Sequence, residues 1–243
     1  MIRQLMKTCE LNAFEASFTE SAYWLAYFIC PIPIAMFMKK YSYKSGIVFG
    51  LLLAACGGLL FFPAAILKEY WAYLCIFFII ATGMCFLETA ANPYVTALGN
   101  PDTAPRRLNL AQSFNGLGAF IAAMFLSKLI LSGNHYTRES LPAEFPGGWD
   151  GYIQMETDAM KLPYLMLALL LIIIAVIFIF SKLPKIKEGD SIEGEEKKGE
   201  KLIDFKVLKR SHLRWGVIAQ FFYNGGQTAI NSLFLVYCCT YAG

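Results

Sequence analysis

The chain has 243 residues, 57% of them apolar and 16% charged, with a net charge of +3 and a mean hydropathy of +0.49. Soluble domains carry roughly a quarter of their residues as Asp, Glu, Lys or Arg, so this composition excludes an ordinary soluble fold. The small, scattered positive balance offers no case for a nucleic-acid partner.

The first twenty residues mix both signs (Arg3, Lys7, Glu10, Glu15, Glu20) and lack the apolar core of a signal peptide. Six apolar segments follow, at 20–38, 45–67, 70–98, 108–131, 162–180 and 215–241. Each is long enough, at 1.5 Å per residue, to cross a hydrocarbon core of about 30 Å. In lipid each is predicted to be a helix, because backbone groups there find partners only within the chain.

Charge alternates between the connecting loops. Lys39, Lys40 and Lys44 make the first basic, and Arg106 and Arg107 outweigh Asp102 in the third. The fourth, 132–161, is acidic, with Glu139, Glu144, Asp150, Glu156 and Asp158. The fifth begins with Lys182, Lys185 and Lys187 and ends with Lys206, Lys209, Arg210 and Arg214. Basic loops stay in the cytoplasm, which puts Met1 outside. An outside start without a signal, and a last span that runs to Gly243, lead us to expect a chain truncated at both ends. The expected organisation is an N-terminal transmembrane bundle lacking its first helix (1–181), a cytoplasmic linker (182–213) and the first helix of a second bundle (214–243). The linker interleaves both signs and reads as a solvated connection, with a regulatory docking site as the alternative.

The seven cysteines lie mostly in apolar runs and, with only two histidines, show no metal-site spacing; they read as small packing residues. Gly46 and Gly50 form a Gly-x-x-x-Gly pair, and Gly57, Gly58, Gly116 and Gly118 add small residues that mark close helix packing. No catalytic set is visible: there is no nucleophile with a base, no phosphate-binding loop and no metal cluster, so an enzyme is not expected and neither is a cofactor.

Glu88 is the only ionisable residue deep inside any of the six segments. A carboxylate there is expected to face the bundle interior or a water-filled cavity. Removal from water disfavours its charged form, so it is expected to hold a proton for part of a cycle, as proton-coupled transport requires. The alternative is a neutral glutamate that only ties two helices together. Asn92 shares its helix face, one turn on, and Pro93 frees the Thr89 carbonyl. Pro31 and Pro33 are expected to kink the first span in the same way. Gln112 and Asn115 share a face of the fourth span. In the sixth, Gln220, Asn224, Gln227 and Asn231 fall within a stripe of roughly 60°. Amides donate and accept, as sugar hydroxyls require, and Tyr223 and Trp215 offer aromatic surface for a pyranose face. Hydrogen bonding between helices is the plainer reading of such amides.

The runs Phe86-Leu87-Glu88-Thr89-Ala90-Ala91-Asn92-Pro93-Tyr94-Val95-Thr96 and Arg107-Leu108-Asn109-Leu110-Ala111-Gln112-Ser113-Phe114-Asn115, with Pro31-Ile32-Pro33 and the segment from Met38 to Gly46, resemble the L-fucose:proton symporter family of the major facilitator superfamily, which includes glucose/galactose transporters. The resemblance implies an all-α membrane protein of two six-helix bundles. The six spans here would be family helices two to seven, and the family's first helix, with its coupling aspartate, has no counterpart. It further implies proton coupling and sugar binding at Glu88, and cavity-facing roles for Gln112 and Asn115, with Gln227 and Asn231 in the seventh helix. The superfamily's first-loop pattern is altered here, with Ala35, Lys39 and Ser42 at three of its positions.

The expected function is therefore proton-coupled uptake of a monosaccharide, L-fucose or glucose/galactose, across a bacterial inner membrane, by a protein monomeric when full length. Glu88 is expected to couple the proton. Glu88, Asn92, Gln112, Asn115, Tyr223, Asn224, Gln227 and Asn231 are expected to bind substrate. The competing readings are a facilitator of a non-sugar solute and a membrane subunit that transports nothing.

Overall fold

The computed structural model describes residues 13–67, 69–122, 124, 145–184, 186 and 210–241. Its elements are α1 (Ala13–Ile29), α2 (Pro31–Lys40), α3 (Tyr43–Leu67), α4 (Tyr70–Ala97), a 3-10 turn (Pro101–Thr103), α5 (Ala104–Ile121), α6 (Gly148–Phe180) and α7 (Ser211–Tyr241). The chain divides into two compact units, Met1–Glu196 and Lys197–Gly243. In the first, α3 is central: it packs against α4 on one side and α6 on another, while α1 and α5 both pack on α4. In the second, α7 is one continuous helix.

Among the described residues three helical stretches are apolar and long enough to cross a bilayer: Tyr43–Leu67, Tyr70–Ala97 and Lys161–Phe180. A fourth is made by the pair Phe18–Ile29 and Pro31–Lys40 if it counts as one span. The described parts of α5 and α7 stand where the fourth and sixth segments were expected, but do not reach that level of apolarity. Arg106, Arg107, Asn109, Gln112 and Asn115 dilute α5, and the amide stripe dilutes α7.

Three features differ from the sequence reading. The first span is broken rather than kinked: α1 and α2 meet at Cys30 with a bend of 41°. Pro31 and Pro33 lack the N–H groups that would reach the carbonyls of Tyr27 and Ile29, and both fit the first turn of a new helix. The acidic segment expected to be loop is helical from Gly148 onward. Charge counting hid a buried stripe there: Ile153, Thr157, Tyr164, Ala168 and Ala175 are all buried at alternating spacings of four and seven, so one face of α6 runs unbroken from its polar end into the membrane segment. Gly116 and Gly118, expected to mark close packing, have nothing among the described residues within 4 Å of where a side chain would begin.

The other glycines do carry the bundle. A Cβ on Gly83 would lie 2.6 Å from the Ala54 backbone nitrogen and 2.8 Å from the Gly50 carbonyl oxygen. One on Gly50 would lie 2.9 Å from the Gly83 carbonyl oxygen, and one on Gly57 would meet Ile80 at 2.5 Å. Main chain thus touches main chain between α3 and α4. Gly58 lets Ala168 of α6 approach from another side, and one turn on, Phe61 stacks on Tyr164 with ring centroids 4.2 Å apart. Two apolar clusters result. One joins Ile34, Met38, Ile47, Leu51, Phe86, Ala90 and Ala175; the other joins Phe61, Ala64, Tyr73, Ile76, Phe77 and Tyr164.

At the end of the bundle that carries Lys39 and Lys182, the chain leaving α6 is strapped down. Lys44 Nζ donates to the carbonyls of Ile179 (3.2 Å) and Ser181 (2.6 Å), placing a cation at the helix C-terminus. The Tyr94 hydroxyl donates to the Pro184 carbonyl at 3.0 Å, and the Tyr43 N–H to that of Ile186 at 3.0 Å.

Because main-chain atoms cannot move aside as side chains can, Gly83→Ala is expected to destabilise the bundle by about 1–3 kcal/mol. Gly116→Ala, in open space within a helix, is expected to leave stability unchanged or raise it by up to about 1 kcal/mol. Thermal unfolding in detergent separates the two.

Candidate functional site

α4 has two unlike faces. Gly83, Phe86, Ala90 and Tyr94 recur at spacings of three and four and are buried, facing α3 and the apolar cluster around it. Half a turn round, Glu88 is the one exposed side chain between Ile76 and Leu98. Asn92 follows it on the same face.

Both groups have partners on neighbouring helices. The Tyr27 hydroxyl of α1 donates to Glu88 Oε1 at 3.1 Å, and the Tyr23 hydroxyl donates to that of Tyr27 at 3.4 Å. Asn92 Oδ1 accepts from Gln112 Nε2 of α5 at 3.0 Å. That bond uses one accepting oxygen and one donated hydrogen, leaving donor and acceptor capacity on both amides for a ligand's hydroxyls. Glu88, Asn92 and Gln112 form a polar strip from α4 onto α5, and Asn115 lies exposed one turn along α5. Beside the strip, Tyr23, Trp24 and Tyr27 cluster with ring centroids 5.3 to 6.0 Å apart, and Trp24 is half exposed.

Glu88 was expected to face the bundle interior or a water-filled cavity, and in the described bundle its side chain is exposed. It opens to an exposed polar face and is held there by a tyrosine. A glutamate that only ties two helices together would make the same hydrogen bond. Among the described residues no Lys or Arg pairs with it.

The sequence-predicted residues of the sixth span all lie on α7, in the other compact unit. Within that helix Tyr223, Asn224 and Gln227 are exposed, and Gln220 Nε2 donates to Asn224 Oδ1 at 3.4 Å, consistent with a shared face. The Asn231 side chain lies outside the described residues, as does most of the 182–213 segment. Among the described residues no group of His, Cys, Asp or Glu is arranged to hold a metal ion.

Sequence reading passed over two contributors. One is the Tyr23–Trp24–Tyr27 group, whose signal was aromatic residues at spacings of three and four on a span read only for hydropathy. The other is Arg107, read as loop charge and as the first residue of a family motif but given no role. Its guanidinium donates to the carbonyls of Val95 (3.2 Å), Thr96 (2.9 Å) and Asn100 (3.0 Å) and to the Thr103 hydroxyl. It occupies the carbonyl end of α4 from the first turns of α5, and so fixes the elbow that brings Gln112 to Asn92. Arg107 also lines an open hollow with Thr103, Arg106, Asn109, Leu110 and Ser113, which includes none of the predicted site residues.

An exposed carboxylate and paired amides thus stand on a bundle of long apolar helices, three of which are apolar and long enough to cross a bilayer among the described residues. The sequence pattern of the Major Facilitator Superfamily matches residues 2–243, and the chain belongs to that superfamily, whose members are multi-pass membrane transporters and not enzymes. More particularly, the chain is 38% identical over 239 residues to the L-fucose-proton symporter of Escherichia coli (strain K12), a match that covers 98% of this chain and 54% of that protein. It is 37% identical over 236 residues to the glucose/galactose transporter of Brucella abortus biovar 1 (strain 9-941), covering 97% of this chain and 52% of that one. The crystal structure of the E. coli fucose:proton symporter FucP resembles this fold with a TM-score of 0.79 and 37% identity, over 97% of this chain and 58% of that chain. The chain thus spans about half the length of the curated relatives it matches.

A lysine at position 107 cannot reproduce the planar fork that serves carbonyls of two segments at once. Arg107→Lys is therefore expected to cost about 1–2 kcal/mol of stability. It should also speed amide hydrogen exchange at 96–103 while leaving exchange in the middle of α3 unchanged, which mass spectrometry of peptic fragments can read.

Proposed function

We propose that the full-length protein is a proton-coupled transporter of a monosaccharide, L-fucose or glucose/galactose, in a bacterial inner membrane, and that it works as a monomer. The observation that carries this reading is the strip of Glu88, Asn92 and Gln112, a carboxylate on the exposed face of the apolar α4 and two amides that join it to α5. Its support is the identity to proteins named as L-fucose-proton symporters and glucose/galactose transporters, which runs along almost the whole chain.

The proposed organisation keeps 1–181 as the N-terminal bundle, 182–213 as a cytoplasmic linker and 214–243 as the first helix of a second bundle. Sugar binds between bundles that rock to expose it to either side in turn. In this scheme Asn92, Gln112 and Asn115 meet the sugar hydroxyls from the first bundle. Tyr223, Asn224, Gln227 and Asn231 do so from the second. Glu88 both touches the sugar and exchanges the proton, so that occupancy by one alters the affinity for the other. The Tyr23–Trp24–Tyr27 group supplies an aromatic wall next to the carboxylate, of the kind that stacks on a pyranose face.

Coupling and binding are separable. Glu88→Gln keeps the shape and a hydrogen-bonding amide but cannot exchange a proton. In the full-length protein it is expected to abolish proton-driven accumulation, leaving internal and external sugar equal, while exchange of labelled for unlabelled sugar continues. Accumulation at the unsubstituted level would refute the assignment. Competition by anionic solutes in place of sugars would redirect it to another substrate class.

A further inference from the structure

We infer that Tyr27 is the positioning residue for the Glu88 carboxylate, and that its hydroxyl, backed by Tyr23, ties α1 to α4 more strongly when Glu88 is charged than when it carries a proton. The inference rests on the reading of Glu88 as the coupling acid.

Two hydroxyls point the same way. Tyr23 donates to Tyr27, and Tyr27 donates to Glu88 Oε1. With its oxygen already accepting from Tyr23, Tyr27 turns its single proton to the carboxylate, and a bond to an ionised acceptor is roughly twice as strong as one between neutral groups. Protonation of Glu88 removes that assistance and leaves an ordinary neutral pair. Trp24 packs beside both rings, edge-on to Tyr23 at 5.8 Å and tilted against Tyr27 at 6.0 Å. A phenylalanine at position 27 would fill the same apolar space, so the hydroxyl is the part that packing alone does not require.

The position of Tyr27 along the chain gives the bond leverage. It lies three residues before Cys30, where α1 ends and the chain bends by 41° into α2. Pro31 cannot donate to the Tyr27 carbonyl, so the last turn of α1 is held less firmly by its own backbone than the turns before it. The charge on Glu88 is thus connected, through one hydrogen bond, to the weakest point of the α1–α2 pair. The titratable groups that face this region are Tyr23, Tyr27 and Cys30 from the α1 side and Cys85 on α4 itself. From α5 the near neighbour is the neutral amide of Gln112, bonded to Asn92.

The test is a double-mutant cycle in the full-length protein reconstituted in vesicles, with Tyr27→Phe, Glu88→Gln and both together, using radiolabelled L-fucose and galactose as probes. Loss of a hydrogen bond to a charged group corresponds to about a tenfold change. Tyr27→Phe is accordingly expected to slow proton-driven uptake about tenfold and to slow sugar exchange far less. Added to Glu88→Gln, it is expected to change exchange no further, because the group it positions is gone. Unchanged proton-driven uptake in Tyr27→Phe overturns the inference. So does a loss of exchange equal to the loss of uptake that persists in the Glu88→Gln background, since that is what a packing role produces. If Glu88→Gln itself accumulates sugar normally, the coupling reading falls, and this inference with it.

Discussion

The backbones of α3 and α4 touch at Gly50 and Gly83, and the other helices of the first unit pack on this pair. Between two helices in lipid there is no hydrophobic drive beyond what the acyl chains already offer, so association relies on close packing. Glycine on both sides brings carbonyl and nitrogen atoms of one helix against the other, where any side chain would hold them apart. Gly57 against Ile80 continues the seam, and Gly58 turns the far side of α3 toward Ala168 of α6. With α3 committed on two sides, α4 has one face buried and the opposite face left over.

That leftover face holds the polar groups. A carboxylate or an amide on the α3 side of α4 would displace Phe86 or Ala90 and leave a polar group without partners at several kcal/mol. On the other side, Glu88 and Asn92 are met by helices that bring their own donors, Tyr27 from α1 and Gln112 from α5. The two partner helices are themselves held by polar contacts at their ends. Tyr70 of α4 donates to the Glu15 carbonyl at 2.6 Å near the start of α1, and Arg107 fastens the start of α5 to the end of α4. The strip is therefore a consequence of how α4 is shared among its neighbours.

Much of the helical layout could be read from hydropathy alone, because period and length are local properties. The boundaries of α3 and α4 fall within two residues of the expected segments at each end. The start of α6 was not legible. Asp150 and Asp158 signalled a loop, while the buried stripe through Ile153 and Thr157 shows itself only when there is a partner to bury it. The break at Cys30 was half legible: two prolines announced a disturbance, but whether a helix bends or stops depends on what surrounds it. In the site, Glu88, Asn92 and Gln112 were legible because polar residues are rare and costly in such segments. Tyr27, Trp24 and Arg107 were not, because an aromatic residue in an apolar helix and an arginine in a basic loop are each ordinary until their partners are known.

The sequence by itself determined that this is a membrane chain of helices, which of its residues are too polar to face lipid, and which superfamily it belongs to. These follow from composition, periodicity and short runs of neighbours along one dimension. Tertiary structure alone decided that Glu88 is an exposed carboxylate held by a tyrosine 61 positions away, that Asn92 and Gln112 bond across two helices, and that Arg107 sets the elbow between them. The physical reason is common to all three: a hydrogen bond between groups on different helices depends on how the helices are packed, which no local run of sequence specifies.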